Sequence, residues 1–279
     1  MTTDRQKRSP LQIAMLVATL ACAGVVVFPY YWMFVSSAET ASMFSWPPHL
    51  LPDRPTLTSY WTIFKERALG RWFVNTLIVA GSTSIFSTVI AINAAYALSR
   101  FKTRITSFFT LIILFSQLLP AALIVVPLFV IFQQLGLYNS LAGLVIADTA
   151  FILPVAIWLL KGFFDQIPVE IEQQAMIDGC SQLGAFYRVV LPLALPGLVV
   201  VVAMSFISGW DEFFLARTLI ASQDKWVLSV GLTSFRGEYT LDWSQMMAAA
   251  VVFTLPALVF FLFVQRYLVA GLASGAVKG

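Results

Sequence analysis

Apolar stretches as long as a lipid bilayer is thick recur along this chain of 279 residues. A helix needs about 20 apolar residues to cross a hydrocarbon core about 30 Å thick. The composition agrees with such helices, because 59% of the residues are hydrophobic and 11% are charged. Six candidate spans can be marked, at residues 11–35, 72–97, 106–134, 140–162, 191–215 and 245–270. The sequence therefore predicts an all-α, polytopic membrane protein with six transmembrane helices.

Two features of the spans affect their interpretation. The first apolar stretch is too long for a cleaved secretory signal and lacks a convincing small-residue cleavage site, so a retained span is expected. Prolines should kink the later spans, because each removes a backbone donor. They are Pro120, Pro127, Pro154, Pro196 and Pro256. Either the kinks serve packing alone, or they bend the helices around a translocation path.

The lysines and arginines predict the orientation, because cytoplasmic loops carry an excess of them. Ten of the 17 fall on one side of the predicted topology. Compact basic clusters lie at residues 5–8 and 100–104, beside the first and second spans. We therefore expect both termini in the cytoplasm and outer loops at residues 36–71, 135–139 and 216–244.

Motifs that carry catalysis are missing from the sequence. No phosphate-binding G-x-x-x-x-G-K-[ST] loop occurs. The single histidine, His49, has no partners for a metal site or a catalytic triad. Cys22 and Cys180 do not indicate a disulfide framework. We therefore expect a chain that is not an enzyme, holds no cofactor or metal, and acts in transport or anchoring.

A polar stretch, IPVEIEQQAMIDGC at residues 167–180, lies between two apolar spans. Pro168 suits the first turn of a helix, where its missing N–H would be unpaired anyway. Gly179 is placed to end this helix with a positive φ. Ser181 can cap a second helix that ends before the next proline. The pattern predicts a cytoplasmic helix–turn–helix loop over residues 165–190.

Two roles for this loop can be compared through its charge. An amphipathic connector that rests on lipid headgroups usually has a polar face rich in lysine and arginine. This loop instead concentrates carboxylates at Glu170, Glu172 and Asp178. The acidic character disfavours anionic lipids and favours docking onto a partner protein, with the headgroup connector as the alternative.

The segment PVEIEQQAMIDGCSQLGAFYRVVLPLALPGL resembles the cytoplasmic "EAA" loop of permease subunits in binding-protein-dependent ABC importers. The residues that match the motif in register are Pro168, Glu170, Glu172, Ala175, Asp178, Gly179, Leu191, Pro192, Pro196 and Gly197. Other stretches are similar to the carbohydrate branch of that family, in particular to the maltose-type second permease subunit. They are WFVNTLIVA around Asn75, AAYALSRF at 94–101, SGWDEFFLA at 208–216 and GLASGAVKG at 271–279.

This chain departs from the family at the motif's best-known residues. Gln173 and Gln174 replace the glutamate and the first alanine of "EAA". In the family that glutamate is thought to contact a basic residue of the ATPase. Because Gln173 carries no charge, we hypothesise that Glu172 or Glu170 supplies the electrostatic part of the contact.

The resemblance implies a single permease domain over residues 1–279, in the cytoplasmic (inner) membrane of a bacterium or archaeon. It also implies a second homologous permease, a dimer of ATPase subunits that bind ATP and Mg²⁺, an extracytoplasmic solute-binding protein, surrounding lipid and a sugar substrate, with no nucleic acid. Residues expected to couple to the ATPase are Glu170, Glu172, Gln173, Gln174, Ala175, Asp178, Gly179, Ser274, Gly275 and Lys278. The tail at 271–279 either frays or reaches into the ATPase interface.

Residues of a substrate pathway are expected at Asn75, Asp148, Trp210, Asp211 and Glu212. A carboxylate such as Asp148 within a span should face the protein interior or a wet cavity. The indole of Trp210 could stack on a sugar or could anchor the span at the membrane interface. In the maltose-type arrangement the sugar can sit mostly in the other permease, so this subunit could contribute shape alone.

Two alternatives to a sugar importer stay open. One is a permease of the same family for another solute, such as a glycerol phosphate ester, although the spans offer almost no basic residues for a phosphate. The other is an ion-coupled secondary transporter. That class typically has more intramembrane ionisable groups and inverted repeats than this chain shows.

Overall fold

A computed structural model describes residues 10–39, 50–52, 54–235 and 242–276 of the chain, with the backbone alone given for 266–276. The basic cluster at 5–8, His49 and Lys278 lie outside the described residues. All regular structure in the described part is helical. The fold is therefore all-α, as predicted.

Thirteen α-helices occur in the described ranges. They are α1 (Pro10–Ser37), α2 (Thr58–Lys65), α3 (Leu69–Arg100), α4 (Arg104–Ser116), α5 (Ala121–Gln134), α6 (Leu141–Gln166), α7 (Val169–Ile177), α8 (Gln182–Ala185), α9 (Leu191–Leu193), α10 (Leu195–Trp210), α11 (Phe214–Leu219), α12 (Leu228–Thr233) and α13 (Trp243–Ala276). A π-helical turn, Phe186–Val190, joins α8 to α9, and a 3₁₀ turn, Gln223–Lys225, precedes α12.

Within the described residues, four helices are long and apolar enough to cross a membrane, and two bent pairs bring the number to as many as six. The four single helices are α1, α3, α6 and α13. The bent pairs are α4 with α5, at an angle of 103°, and the α8–α9 segment with α10, at 75°. The helices in the third and fifth predicted spans thus change direction, between residues 116 and 121 and at Ala194.

Prolines accompany both breaks. Pro120 immediately precedes α5 with an extended backbone (ψ 130°), which interrupts the helix after α4. Pro196 occupies the first turn of α10, where a proline costs no helical hydrogen bond. In contrast, Pro127, Pro154 and Pro256 lie inside helices that continue through them. The sequence predicted that the fifth span extends to residue 215, but α10 ends at Trp210.

The chain divides into two compact units, Met1–Arg67 with Phe235–Val252 and Ala68–Ser234 with Phe253–Gly279. In the first unit, α1 has broadly exposed apolar side chains. The Ser37 and Tyr60 hydroxyls are 2.7 Å apart and link the end of α1 to α2. The Arg67 guanidinium lies 5.6 Å from the centre of the Phe235 ring. Both contacts involve residues of the first predicted outer loop, at 36–71, and fix their side chains in place.

Helix α3 is the centre of the second unit, where it packs against α6 and α10. Its buried face carries small and hydroxyl residues, which allow neighbouring backbones to approach closely, as is common between membrane helices. They include Ala80, Thr83, Ser84, Ser87, Ala91 and Ala95. A Cβ on Gly209 of α10 would lie 2.9 Å from the Ala80 Cα. The Ser84 hydroxyl donates to the Val202 carbonyl at 2.9 Å.

The first turns of α3 hold a segment that follows α11. Trp72 Nε1 donates to the Gln223 carbonyl at 2.8 Å. Asn75 Nδ2 donates to the carbonyls of Asp224 and Trp226 at 3.0 and 2.8 Å. The region predicted as the third outer loop therefore contains ordered short helices that are tied to α3.

Gly231 allows close contact between α12 and α3. A Cβ at this position would lie 2.2 Å from the nearest carbon of the fully buried Trp72 ring. We predict that Gly231→Ala lowers the free energy of unfolding by about 1–3 kcal/mol, because the ring has no space to retreat. The thermal midpoint of the protein in detergent measures this effect. Gly81→Ala is the matched control, since nothing lies within 4 Å of its added Cβ. Equal midpoints for the two variants would contradict the prediction.

Candidate functional site

The loop after α6 forms the helix–turn–helix that its sequence predicts. Pro168 precedes α7 with an extended backbone (ψ 136°), and Glu170 and Glu172 lie in the first turn. Gly179 has a φ of 95°, in the left-handed region that ends helices. The Ser181 hydroxyl accepts from the Gly184 N–H at 3.1 Å and caps α8. Each turn is therefore made by the residue type that its geometry requires.

One face of α7 is exposed on the described chain. Glu170, Gln173 and Gln174 are exposed there, as is Asp178 at the end of the helix. Large apolar side chains lie nearby and are also exposed: Val169, Met176, Ile177, Leu183 and Tyr187. The large apolar side chain of Ile177 is 84% exposed. A surface that mixes polar and large apolar groups in this way is typical of a protein docking site.

The opposite face of α7 is buried against the C-terminal end of α3. Ala175 and Glu172 are 8% and 3% exposed. Glu172 Oε2 accepts from Arg100 Nε at 2.9 Å, and the Tyr96 hydroxyl donates to Glu172 Oε1. The Glu172 carboxylate is thus fully engaged within the chain. This placement corrects the hypothesis that Glu172 supplies charge to a partner, because its oxygens are turned inward. Of the two glutamates proposed, Glu170 alone is exposed.

The Arg100 guanidinium also holds the end of α6. Its other two nitrogens donate to the Phe164 and Ile167 carbonyls, each at 3.1 Å. These carbonyls belong to the last turn of α6 and to the residue after it, where helical N–H donors become scarce. The Phe164 carbonyl also accepts from the Ile167 N–H at 3.1 Å. Beside them, Ser99 Oγ donates to Asp165 Oδ1 at 2.7 Å, and Lys161 Nζ pairs with Asp165 Oδ2 at 2.6 Å.

Aromatic rings complete the buried side of the loop. The Tyr96 ring centre lies 4.0 Å from that of Phe186 in the π-helical turn. The Phe164 ring meets both of them edge-on, with 6.0 Å between centres. From the sequence, Arg100 was predicted only as part of a basic cluster, and no role was predicted for Tyr96. The available signal was the i, i+4 spacing of Tyr96 and Arg100 on one helix face beside an acidic loop.

The predicted coupling residues at the C-terminus are only partly described. Ser274 and Gly275 lie within the last turn of α13, whose backbone is helical to Ala276. Their side chains and Lys278 lie outside the described part of the chain.

Trp210 is not available to a substrate in this structure. The side chain is fully buried, stacks on Phe206 and Phe253, and meets Phe73 edge-on. Its Nε1 donates to the Phe253 carbonyl at 3.1 Å. The ring therefore belongs to an aromatic core in this structure, and either predicted role, sugar stacking or interfacial anchoring, would require it to be uncovered. Asn75 was also predicted to line the substrate pathway, but its side-chain amide donates to the backbone carbonyls of residues 224 and 226.

The carboxylates near the end of α10 remain candidates. Asp148 is 3% exposed, and its Oδ2 has no hydrogen-bond partner among the described residues. Glu212 is near enough to interact electrostatically with it. Glu212 Oε1 accepts from the Leu215 N–H at 2.6 Å and so caps α11. Burial raises the pKa of the Glu212 carboxyl group, and N–H donors at the start of α11 oppose that rise. Asp211 is exposed.

A family model described as "Binding-protein-dependent transport system inner membrane component" matches residues 87–274. The sulfoquinovosyl glycerol transport system permease protein SmoH of Agrobacterium fabrum is 34% identical over 254 residues, covering 91% of this chain and 89% of that protein. The diacetylchitobiose uptake system permease protein DasC of Streptomyces coelicolor is 34% identical over 255 residues, covering 91% and 92%. The trehalose/maltose transport system permease protein MalG of Thermococcus litoralis is 29% identical over 271 residues, covering 96% and 97%.

A solved structure shows the same fold. It is the crystal structure of a bacterial ABC transporter involved in the import of the acidic polysaccharide alginate, with a TM-score of 0.81 and 23% sequence identity. The match covers 95% of this chain and 99% of the matched one.

The two glutamates of α7 should differ in their effect on stability. Glu172→Gln leaves the Arg100 guanidinium buried without its counter-charge, and we predict a loss of about 3–5 kcal/mol in the free energy of unfolding. Glu170→Gln changes an exposed side chain and should stay within about 0.5 kcal/mol of the unmodified protein. Thermal unfolding in detergent compares the two. A Glu172→Gln variant as stable as Glu170→Gln would show that the buried pair is not formed.

Proposed function

Because this chain belongs to the family of inner membrane components of binding-protein-dependent transport systems, we propose that it is the permease subunit of an ATP-driven importer for a sugar. The observation that carries the proposal is the helix–turn–helix at 168–193, which presents an exposed face on α7. Such a face suits a groove on an ATPase subunit. A chain without a phosphate-binding loop of its own needs such a partner to use ATP.

The mechanism follows from where α7 is attached. ATP and Mg²⁺ are held by the partner ATPase subunits, whose closure moves the docked helix. In this chain, α7 contacts the inner end of α3 through Glu172 and follows directly on α6. A displacement of α7 therefore acts on two spans and swings the permease between inward-facing and outward-facing states.

The orientation has structural support. Arg100 lies at the end of α3, next to Lys102 and Arg104, and binds Glu172 of α7. The basic cluster and the docking loop are thus at the same end of α3. Since short cytoplasmic loops are rich in lysine and arginine, we place this end, and with it both termini, in the cytoplasm.

The exposed surface of α7 and the family description indicate which partner subunits to expect. The exposed α7 surface fits an ATPase subunit, and a binding-protein-dependent system includes a solute-binding protein outside the membrane. We infer a second homologous permease from the family resemblance, as the partner that completes the pathway beside the at most six spans found among the described residues. The end of α13 at Ser274 and Gly275 is proposed to join the ATPase interface with Lys278.

The substrate class follows from the relatives, which are permeases for sulfoquinovosyl glycerol, diacetylchitobiose and trehalose or maltose. We propose a sugar, a glycoside or a related polyol. With Trp210 and Asn75 committed to internal contacts, this subunit contributes the shape of the pathway and the carboxylates at 211 and 212 rather than an aromatic platform.

Uptake into proteoliposomes tests the proposal. The chain is assembled with the ATPase, second permease and binding protein encoded by neighbouring genes, and a panel of labelled sugars and glycerol phosphate esters is supplied. We expect accumulation of one sugar that requires both internal ATP and the binding protein. Uptake that needs neither ATP nor the binding protein, but follows an ion gradient, would establish a secondary transporter instead.

Cys180 supplies a native reporter of docking. It lies between α7 and α8 and is partly exposed. In a Cys22→Ser background, we predict that a maleimide labels Cys180 at least about tenfold more slowly when the ATPase is bound, because the partner covers the thiol. The labelling rate is measured by mass spectrometry. A Ser107→Cys variant in α4 is the control whose rate should not change. Equal rates at Cys180 with and without ATPase would contradict docking at this loop.

A further inference from the structure

Helix α7 is joined to its neighbours by two non-helical turns. Pro168 before it has an extended backbone, and Gly179 after it has a φ of 95°. Bonds at such turns are the places where a helix can change direction relative to the elements on either side. The covalent chain alone therefore leaves the angle between α7 and the spans poorly determined, and side-chain contacts must set it.

Arg100 makes these contacts to several elements at once. It binds Glu172 on α7, the Phe164 carbonyl in the last turn of α6, and the Ile167 carbonyl between the two helices. A guanidinium is planar and presents its donors in fixed directions, so three acceptors fix its position and its plane. The side chains of Arg100 and Glu172 are 7% and 4% exposed, and solvent ions therefore screen the pair little.

Tyr96 extends the same cluster by one turn of α3. Its hydroxyl donates to the second oxygen of Glu172, and its ring packs 4.0 Å, between centres, from Phe186. The next residue of the π-helical turn, Tyr187, donates from its hydroxyl to Asn93 Oδ1 at 3.2 Å. Three consecutive turns of α3, at 93, 96 and 100, thus hold the elements on both sides of Gly179.

We propose that Arg100 and Tyr96 are positioning residues for energy coupling. They clamp α7 and the π-helical turn to the inner ends of α3 and α6, so that a push on α7 moves these spans as one body. Without the clamp, α7 would rotate about Pro168 and Gly179 and the push would be lost in the turns. The inference rests on the proposed function, since it gives the path by which the ATPase acts on the spans.

The clamp is tested in the complete transporter in proteoliposomes, with ATP hydrolysis measured with and without substrate-loaded binding protein. Arg100→Lys keeps the charge, but a single ammonium cannot bind Glu172 and both carbonyls together. The double variant Arg100→Gln/Glu172→Gln removes both charges and leaves no buried ion unpaired. Tyr96→Phe keeps the ring and removes one hydrogen bond. Lys161→Gln is the control, because it breaks an exposed pair at the same end of α6.

The deciding quantity is the ratio of stimulated to basal hydrolysis. We expect it to fall at least about tenfold in Arg100→Lys and in the double variant, and by a smaller factor in Tyr96→Phe, with basal hydrolysis and ATPase co-purification within about twofold of the unmodified transporter. The concentration of binding protein that gives half-maximal stimulation should not change. Lys161→Gln should keep the full ratio.

Two results would overturn the clamp. One is a ratio within about twofold of the unmodified value in both Arg100 variants. The other is a parallel fall of basal and stimulated hydrolysis, or loss of assembly in all three clamp variants, which would show a purely structural role. Failure of the proposed function gives a different result, because the unmodified chain would then bind no ATPase and show no stimulated hydrolysis.

Discussion

The buried ion pair between Arg100 and Glu172 is the interaction on which the packing of α7 against α3 and α6 depends. Burying two charges costs several kcal/mol per ion, and the cost is recovered only when the remaining donors and acceptors are also bound. Here Tyr96 and two carbonyls of the α6 end provide those partners. Apolar side chains of similar volume could give comparable stability. They would not define the direction of α7 relative to two spans, which is what the guanidinium does.

Helix α3 connects this contact to a second set of contacts near its start. Near its start, Trp72 and Asn75 bind the backbone of the segment at 223–226. Near its end, Tyr96 and Arg100 bind the loop of α7. About 20 residues separate the two sets, which corresponds to about 30 Å of helix, the thickness of the hydrocarbon core. Packed on α6 and α10 through small residues, α3 joins the segment at 223–226 to the loop that contains α7.

Local signals in the sequence predicted a large part of this structure. Long apolar runs predicted the helical membrane fold, and Gly179 and Ser181 placed the turn and the start of the second helix correctly. The predicted end before Pro192 was wrong, because a π-helical turn and a short helix continue to Leu193. The family was predicted from the same loop and is confirmed. These features depend on residues within a few positions of one another. The prolines predicted kinks in the later spans, but not bends as large as 103° and 75°, because hydropathy measures apolar length and not the direction of the helix axis.

Long-range partners could not be predicted in the same way. Glu172 was taken for an exposed charge, since nothing within the loop indicated that Tyr96 and Arg100, 76 and 72 residues away, would cover it. Trp210 was predicted either as a substrate contact, because tryptophan beside carboxylates suits sugars, or as an interfacial anchor, yet its indole is buried among phenylalanines. The residue type shows which side chains could bind a partner or substrate, but tertiary packing determines which of them are exposed to do so.

The neutral glutamines on the exposed face of α7 have a kinetic consequence. With Gln173 and Gln174 outward and Glu172 turned inward, the first two turns of α7 present one exposed carboxylate, Glu170. Asp178 adds a second exposed carboxylate at the end of the helix. At physiological ionic strength such charges act over about 8 Å, so they would steer an approaching subunit only at close range. Assembly then depends on shape and on apolar side chains such as Ile177, and its rate should vary little with salt. Such a surface would distinguish its partner by shape and apolar contact after collision rather than by long-range electrostatic attraction.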